Sequence, residues 1–285
     1  MKKTILALSY VAAVSAYADT TATKTSEQKP AWNFSGSYEL ESRVNAAPNN
    51  DMNVTNAKLY NSLTLNAASG KFSTYLILDY ARKNSNSDFE MQAPWTWTTY
   101  KVLDTDKFDV SAYAYLALPY DGAAAYLDTG AYHNLSTSIE TSAGKVTPYY
   151  AGYTGVSNYA DGQELTIKDA KKFGLKGDGK QQTEFSDMGF GAQHWVGVGF
   201  TPAAVSDLSV AARTYAHFTN TPKEYTVIEA TNETELQYES KTSYYNRYYL
   251  DYTINEKLTL NNEVRDSYQS DNRYDIRTGV TYTFM

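Results

Sequence analysis

The chain has 285 residues, no cysteine and a formal charge of −7. The length allows one large domain or two small ones. The lack of thiols excludes a disulfide framework, a cysteine nucleophile and a cysteine-ligated metal, and the acidic balance with no basic tract argues against a nucleic-acid partner. Tyrosine occurs 27 times, against 10 Phe and 4 Trp, a bias that suits a boundary between oil and water, because the ring is apolar and the hydroxyl wet.

The first residues set the compartment. Lys2-Lys3 give a basic start, an apolar run follows from Ile5 to Ser15, and Ala16-Tyr17-Ala18 is a small-x-small cleavage site. This pattern predicts a signal peptide over residues 1–18, and its apolar run is too short to span a bilayer as a helix. Removing it leaves about 267 residues (285 less 18) and, with Lys2 and Lys3 gone, a charge of about −9. Residues 19–31, rich in Thr, Ser, Lys and Gln, predict a flexible leader. No later stretch approaches ~18 consecutive apolar residues, which excludes a helical membrane protein but not a β-barrel, whose strands hide their apolar half by alternation.

From Trp32 to the end the period is 2. Trp32, Phe34, Gly36, Tyr38 and Leu40 fall on one face, and Asn33, Ser35, Ser37, Glu39, Glu41 and Arg43 on the other. Leu59, Leu63 and Leu65 alternate with Lys58, Tyr60, Ser62 and Thr64. Phe72, Leu76, Leu78 and Tyr80 mark a third strand, Trp95 and Trp97 open a fourth, and Val110 to Leu118 form a fifth. A sixth spans Ala125 to Ile139. A seventh near Val146 to Tyr153 is interrupted by Pro148, which a central strand resists. The later strands are cleaner: Phe190 to Phe200, Leu208 to Thr214, Tyr244 to Ile254, Leu258 to Val264, and the closing stretch Tyr274 to Phe284. About twelve strands result. Connections after even strands are mostly short (Ala67 to Gly70, Asp104 to Lys107, Asn255 to Lys257). Those after odd strands are mostly longer and polar (Asn45 to Asn56, Lys83 to Ala93, Thr154 to Phe185, Thr219 to Glu239), with Pro119 to Ala123 a short exception. This predicts an all-β fold: a transmembrane, antiparallel, up-and-down barrel over residues 32–285 in a bacterial outer membrane. A secreted β-sandwich would carry fewer and shorter strands.

Val280, Tyr282 and Phe284 alternate up to the last aromatic, and Met285 adds one residue beyond it. This ending resembles that of bacterial outer-membrane β-barrels of porin-like build, whose final strand closes with a terminal aromatic. The resemblance implies outer-membrane lipid and the barrel-assembly machinery as partners, the latter through the C-terminal strand.

Alternation puts Glu39, Glu41, Arg43, Lys58, Arg213, Arg247, Asp251, Glu263, Arg265, Arg273, Asp275 and Arg277 on the inward face as candidate pore-lining residues. Rows of opposed charge set selectivity in aqueous pores; in a closed barrel the same residues would pair and fill the interior. No two of His133, His194 and His217 have metal-ligand spacing in sequence, and no cofactor motif is present. His133-Asn134-Leu135-Ser136 has residue types of a lipid hydrolase, but His133 and Asn134 fall on opposite faces, out of mutual reach. Asp121-Gly122, Asp161-Gly162 and Asp178-Gly179 read as turns rather than calcium loops. Trp95 and Trp97 are expected in the interfacial girdle, with sugar stacking in a pore mouth the weaker alternative, and the long Thr154–Phe185 stretch either lies on the surface or folds inward as a constriction. The expected function is non-enzymatic: passive diffusion of small polar or charged solutes through a water-filled lumen. The alternatives are a closed structural or adhesive barrel acting through its loops, and an outer-membrane lipid hydrolase.

Overall fold

A computed structural model describes residues 31–46, 58–82, 90–118, 125–159, 163–168, 170, 179–184, 187–228, 230–231, 233–267 and 274–284. The expected signal peptide, all of the leader but its last residue, Arg273, Asp121-Gly122 and Asp161-Gly162 lie outside them. Twelve long strands form the wall: β1 (Asn33–Ala46), β2 (Lys58–Ser69), β3 (Phe72–Arg82), β4 (Trp95–Asp104), β5 (Phe108–Ala117), β6 (Tyr126–Ser136), β7 (Gly144–Tyr159), β8 (Gly189–Pro202), β9 (Leu208–Ile228), β10 (Glu233–Asn255), β11 (Leu258–Ser267) and β12 (Tyr274–Phe284). Each pairs antiparallel with the next, and β12 returns to β1 in a register running from Gly36 opposite Phe284 to Ala46 opposite Tyr274. The ring is closed and no wall strand is left with a free edge inside the membrane, as hydrocarbon requires. A closed antiparallel barrel with this alternation is the build of a bacterial outer-membrane protein.

The two faces separate cleanly. Side chains of non-adjacent strands can meet only on the concave side of a barrel this wide. Gln193 of β8 donates to the Tyr245 hydroxyl of β10 across β9, Arg213 of β9 donates to the Tyr149 hydroxyl of β7 across β8, and the rings of Trp97 and Tyr153, on β4 and β7, approach to 6.2 Å. These residues and their i±2 neighbours define the inner face. The opposite face carries exposed Phe34, Leu40, Leu65, Val196, Val198, Tyr244, Tyr248, Leu250, Tyr252, Val280 and Tyr282. Apolar surface is therefore turned outward to lipid, and the buried tyrosines of the wall, Tyr113, Tyr215 and Tyr245, are turned inward.

Three segments depart from the sequence expectation. Pro148 does not break β7: it stands opposite Val198, and its carbonyl accepts from Thr137, in the gap between Ser136 and the short strand Ile139–Thr141. The missing N–H thus points to a place where the ladder is already interrupted. Secondly, Thr219 to Glu239 is not a loop. β9 and β10 continue their pairing past Asn220 opposite Ser240, through a bulge at Pro222, up to Ile228 opposite Glu233. Among the described residues no other wall strand pairs with these upper residues, so they project as a two-stranded hairpin on the long-loop side. Thirdly, part of Thr154–Phe185 is strand. β7 runs on to Tyr159, and Glu164–Thr166 pairs with Lys180–Gln182.

Val196 is 56% exposed on the outer face of β8, while Ser209 is exposed on the inner face of β9. A cation in mid-bilayer costs a barrel about 2–4 kcal/mol. Val196→Arg is expected to lose stability of that order in urea unfolding from lipid vesicles, and Ser209→Arg to unfold close to the wild-type midpoint.

Candidate functional site

The inner wall has two different halves. On β1, β2 and β9 to β12 it is charged. Glu39, Glu41 and Arg43 stand opposite Thr281, Gly279 and Arg277 across the closing seam, and Arg43 also stands opposite Lys58. Arg213, Arg247 and Arg265 follow one another across β9, β10 and β11, with Asp275 next in line on β12. Glu263 stands opposite Arg277 and Tyr249, and Asp251 opposite Ser209 and Asn261. All the candidate residues that are described share the face identified above as concave. Their ion pairs run along the wall. Arg43 bonds Glu41 two residues away, Arg277 meets Asp275 at 2.7 Å in the same arrangement, and Arg247 reaches Glu263 of the neighbouring strand at 3.4 Å.

On β3 to β8 the inner wall is aromatic. Trp97 stacks on Tyr113 with ring centroids 4.5 Å apart, and Tyr153 meets both edge-on. Trp95 packs against Tyr75 and Tyr115. The girdle assignment for Trp95 and Trp97 is therefore corrected: both point into the barrel. The outward residues of β4 are Thr96, Thr98 and Tyr100, with Thr98 hydrogen-bonded to Thr74 of β3 at 2.9 Å. On this strand the larger apolar side chains lie inside, so alternation alone did not say which face was which. Few carboxylates interrupt this half. Asp128 accepts from the Tyr113 hydroxyl at 3.0 Å, Asp79 from Ser62 at 2.6 Å, and Asp109 from Asn134 at 3.1 Å.

Glycines make room where side chains cross a strand. A Cβ on Gly197 would lie 2.7 Å from the Tyr149 ring, so only glycine lets Tyr149 lean over β8 to Arg213. A Cβ on Gly155 would meet the Tyr113 hydroxyl at 2.2 Å.

Both mouths hold cavities. At the extracellular end a cavity of about 470 Å³ lies between Tyr115, Tyr126 and Ser157 of the wall, Gln163, Thr183 and Asp187 of the long connection, and Thr221 and Pro222 of the projecting hairpin. At the periplasmic end one of about 370 Å³ is lined by hydroxyls and amides of β1, β2, β3 and β12, including Ser37, Thr64, Asn66, Tyr75 and Thr283. The described parts of the long connection, residues 163–168 and 179–184, thus roof part of the upper mouth. Tyr225 of the hairpin fastens them, donating to the Gln182 carbonyl at 3.2 Å and to Asp187 at 3.4 Å, while Thr234 donates to Gln181. Burial first, and then Asp187 beside it, pushes the Tyr225 hydroxyl above its ordinary value.

The histidines divide between the two faces, with one feature that sequence could not supply. His217 is inward, opposite Gln193 and Ser243. His133 and His194 are outward and meet across Gly152, ring centroids 5.2 Å apart, although 61 positions separate them in the chain (194 less 133). His194 bonds Tyr150 at 3.0 Å. Asn134 lies on the opposite face, bonded to Asp109, so the His-Asn-Leu-Ser stretch does not assemble a nucleophile and base. Among the described residues no group of three or more His, Asp and Glu side chains could hold a metal ion.

No protein-family model matches the chain, and no curated protein does. Among solved structures it is similar to KdgM porin, with a TM-score of 0.44 and 10% identity over 87% of this chain and 99% of that one. It is also similar to an outer membrane channel from Pseudomonas putida F1, with a TM-score of 0.48 and 10% identity over 92% and 100%, and to Pseudomonas putida OprB, with a TM-score of 0.42 and 10% identity over 89% and 94%.

Tyr225→Phe keeps the ring and removes the two hydroxyl bonds to the roof, leaving the Thr234–Gln181 bond and the backbone bond from Lys168 to the Tyr225 carbonyl. Cleavage between residues 163 and 187 by added protease is expected to become several-fold faster, with the barrel intact by its heat-modifiable gel migration. In the wild type the hydroxyl's folded value lies above its ordinary one, so its contribution to docking is present below pH about 10 and is lost as the pH rises through the folded value. The Phe variant should lack that alkaline step.

Proposed function

We propose that this chain is an outer-membrane channel through which small polar and charged solutes diffuse passively, sieved by the barrel width and the roofed upper mouth. The observation that carries the reading is the direction of the lumen ion pairs. A closed barrel fills its interior with charges paired across it, whereas Arg43–Glu41, Arg277–Asp275 and Arg247–Glu263 each lie along the wall. Side chains laid flat leave the axis to water, and twelve strands give a width between filled and open barrels. The cavities at the two mouths are the ends of the proposed path. Glu39, Glu41, Arg43, Lys58, Arg213, Arg247, Asp251, Glu263, Arg265, Asp275 and Arg277 line it, and charges so placed bias the ions that pass.

The projecting hairpin would serve an adhesive barrel equally well, and conductance separates the two readings. The refolded protein in a planar lipid bilayer is expected to give discrete, stable current steps. Under a salt gradient the reversal potential reports the dominant charge sign, and Arg213→Ser with Arg247→Ser should move it toward cations. An inserted barrel without steps would overturn the channel reading.

A further inference from the structure

Three inward arginines on adjoining strands occupy one rung. Arg213 stands opposite Arg247, and Arg247 opposite Arg265. Opposed Cα atoms in an antiparallel ladder are about 4.5–5.5 Å apart, and like charges placed so repel. The carboxylates nearby cancel only part of the charge. Glu263 reaches Arg247 alone, Asp275 is held by Arg277 although it stands opposite Arg265, and Glu41 is held by Arg43. Asp251 lies on the same face as Arg213, two strand rungs toward the periplasm, beside Ser209.

Tyrosines support the row instead. The Arg213 guanidinium lies 4.5 Å from the Tyr249 ring centre and donates to the Tyr149 hydroxyl. Arg247 lies 5.2 Å from the Tyr215 ring, and Arg265 4.1 Å from Tyr245. Tyr215 and Tyr245 stack on each other at 4.7 Å, both buried. Aromatic faces hold cations in place without neutralising them. Nε of Arg265 is buried and has no hydrogen-bond acceptor among the described residues. A folded wall that concentrates like charge, fixes it with rings and leaves Arg213 and Arg265 without an ion pair among the described residues is poised for a negative group from outside.

We infer that Arg213, Arg247 and Arg265 form a binding site for multiply charged oxyanions, di- or tricarboxylates or phosphates, on the path through the lumen. Guanidinium forks match carboxylate and phosphate oxygens two at a time. Three forks in one rung span about 10 Å, so a solute with several oxyanion oxygens engages more of them than chloride or a monocarboxylate does. The route of the solute rests on the channel reading above, but the binding does not.

The test uses the refolded protein with citrate, inorganic phosphate and acetate as probes, in two measurements: binding in detergent by calorimetry, and block of single-channel current. Citrate or phosphate is expected to bind at least about tenfold more tightly than acetate, consistent with added bidentate contacts, and to reduce the current at concentrations where acetate does not. Which of the two binds more tightly tells whether the site prefers carboxylate or phosphate. Arg213→Ser with Arg265→Ser should lose that preference, and Lys223→Ser on the projecting hairpin should keep it. If the double variant does not refold, Arg265→Lys retains charge without the fork and should weaken citrate or phosphate more than acetate. Equal binding of all three probes, or unchanged preference in the arginine variants, would overturn the site. Binding that depends on the arginines in a protein without current steps would refute the channel and keep the site; current steps without oxyanion preference would do the reverse.

Discussion

Everything in this structure depends on the seam between β1 and β12. In hydrocarbon no water is present to take an unpaired N–H or C=O, so a single open edge would leave a full strand of backbone unsatisfied. Eleven consecutive residue pairs, from Gly36 opposite Phe284 to Ala46 opposite Tyr274, close it. Once the wall is a ring, each strand has one face in lipid and one in the lumen, and the period-2 sequence follows from that alone.

Closure also inverts the usual relation of core and surface. Leu40, Leu250 and Val280 are exposed because their solvent is lipid, while Tyr113, Tyr215 and Tyr245 are buried against the inner wall. Among the described residues the interior has no aliphatic core. Its rigidity comes from ring stacks, from glycines that let tyrosines cross a strand, and from ion pairs that lie along the wall. These devices fix large polar side chains at the perimeter, which is where a conducting barrel needs them.

The two halves of the lumen divide the work. The aromatic half from β3 to β8 is densely packed and carries few, hydrogen-bonded carboxylates. The charged half from β9 to β2 carries the arginines and most of the inward acids. Above them the described parts of the connection between β7 and β8 are held over the upper mouth by Tyr225, anchored to the projecting hairpin.

The sequence by itself determined the class of fold, most strand positions and the faces of the charged strands, because alternation and turn spacing are local properties of a half-lipid, half-water strand. It placed Arg213, Arg247, Glu263 and Arg277 on one face of their strands, since a charge in the lipid belt is prohibitive and leaves only one assignment. It misplaced Trp95 and Trp97, because β4 turns Thr96 and Thr98 to lipid and both tryptophans to the lumen, so hydrophobicity pointed the wrong way. It took the upper parts of β9 and β10 for a loop, because outside the membrane nothing forces polar and apolar residues to alternate. Only the tertiary structure decided which charges share a rung, which carboxylate each arginine keeps, and that His133 meets His194 across Gly152. Those depend on register between strands, and register is fixed by closing the ring, not by any one strand's composition.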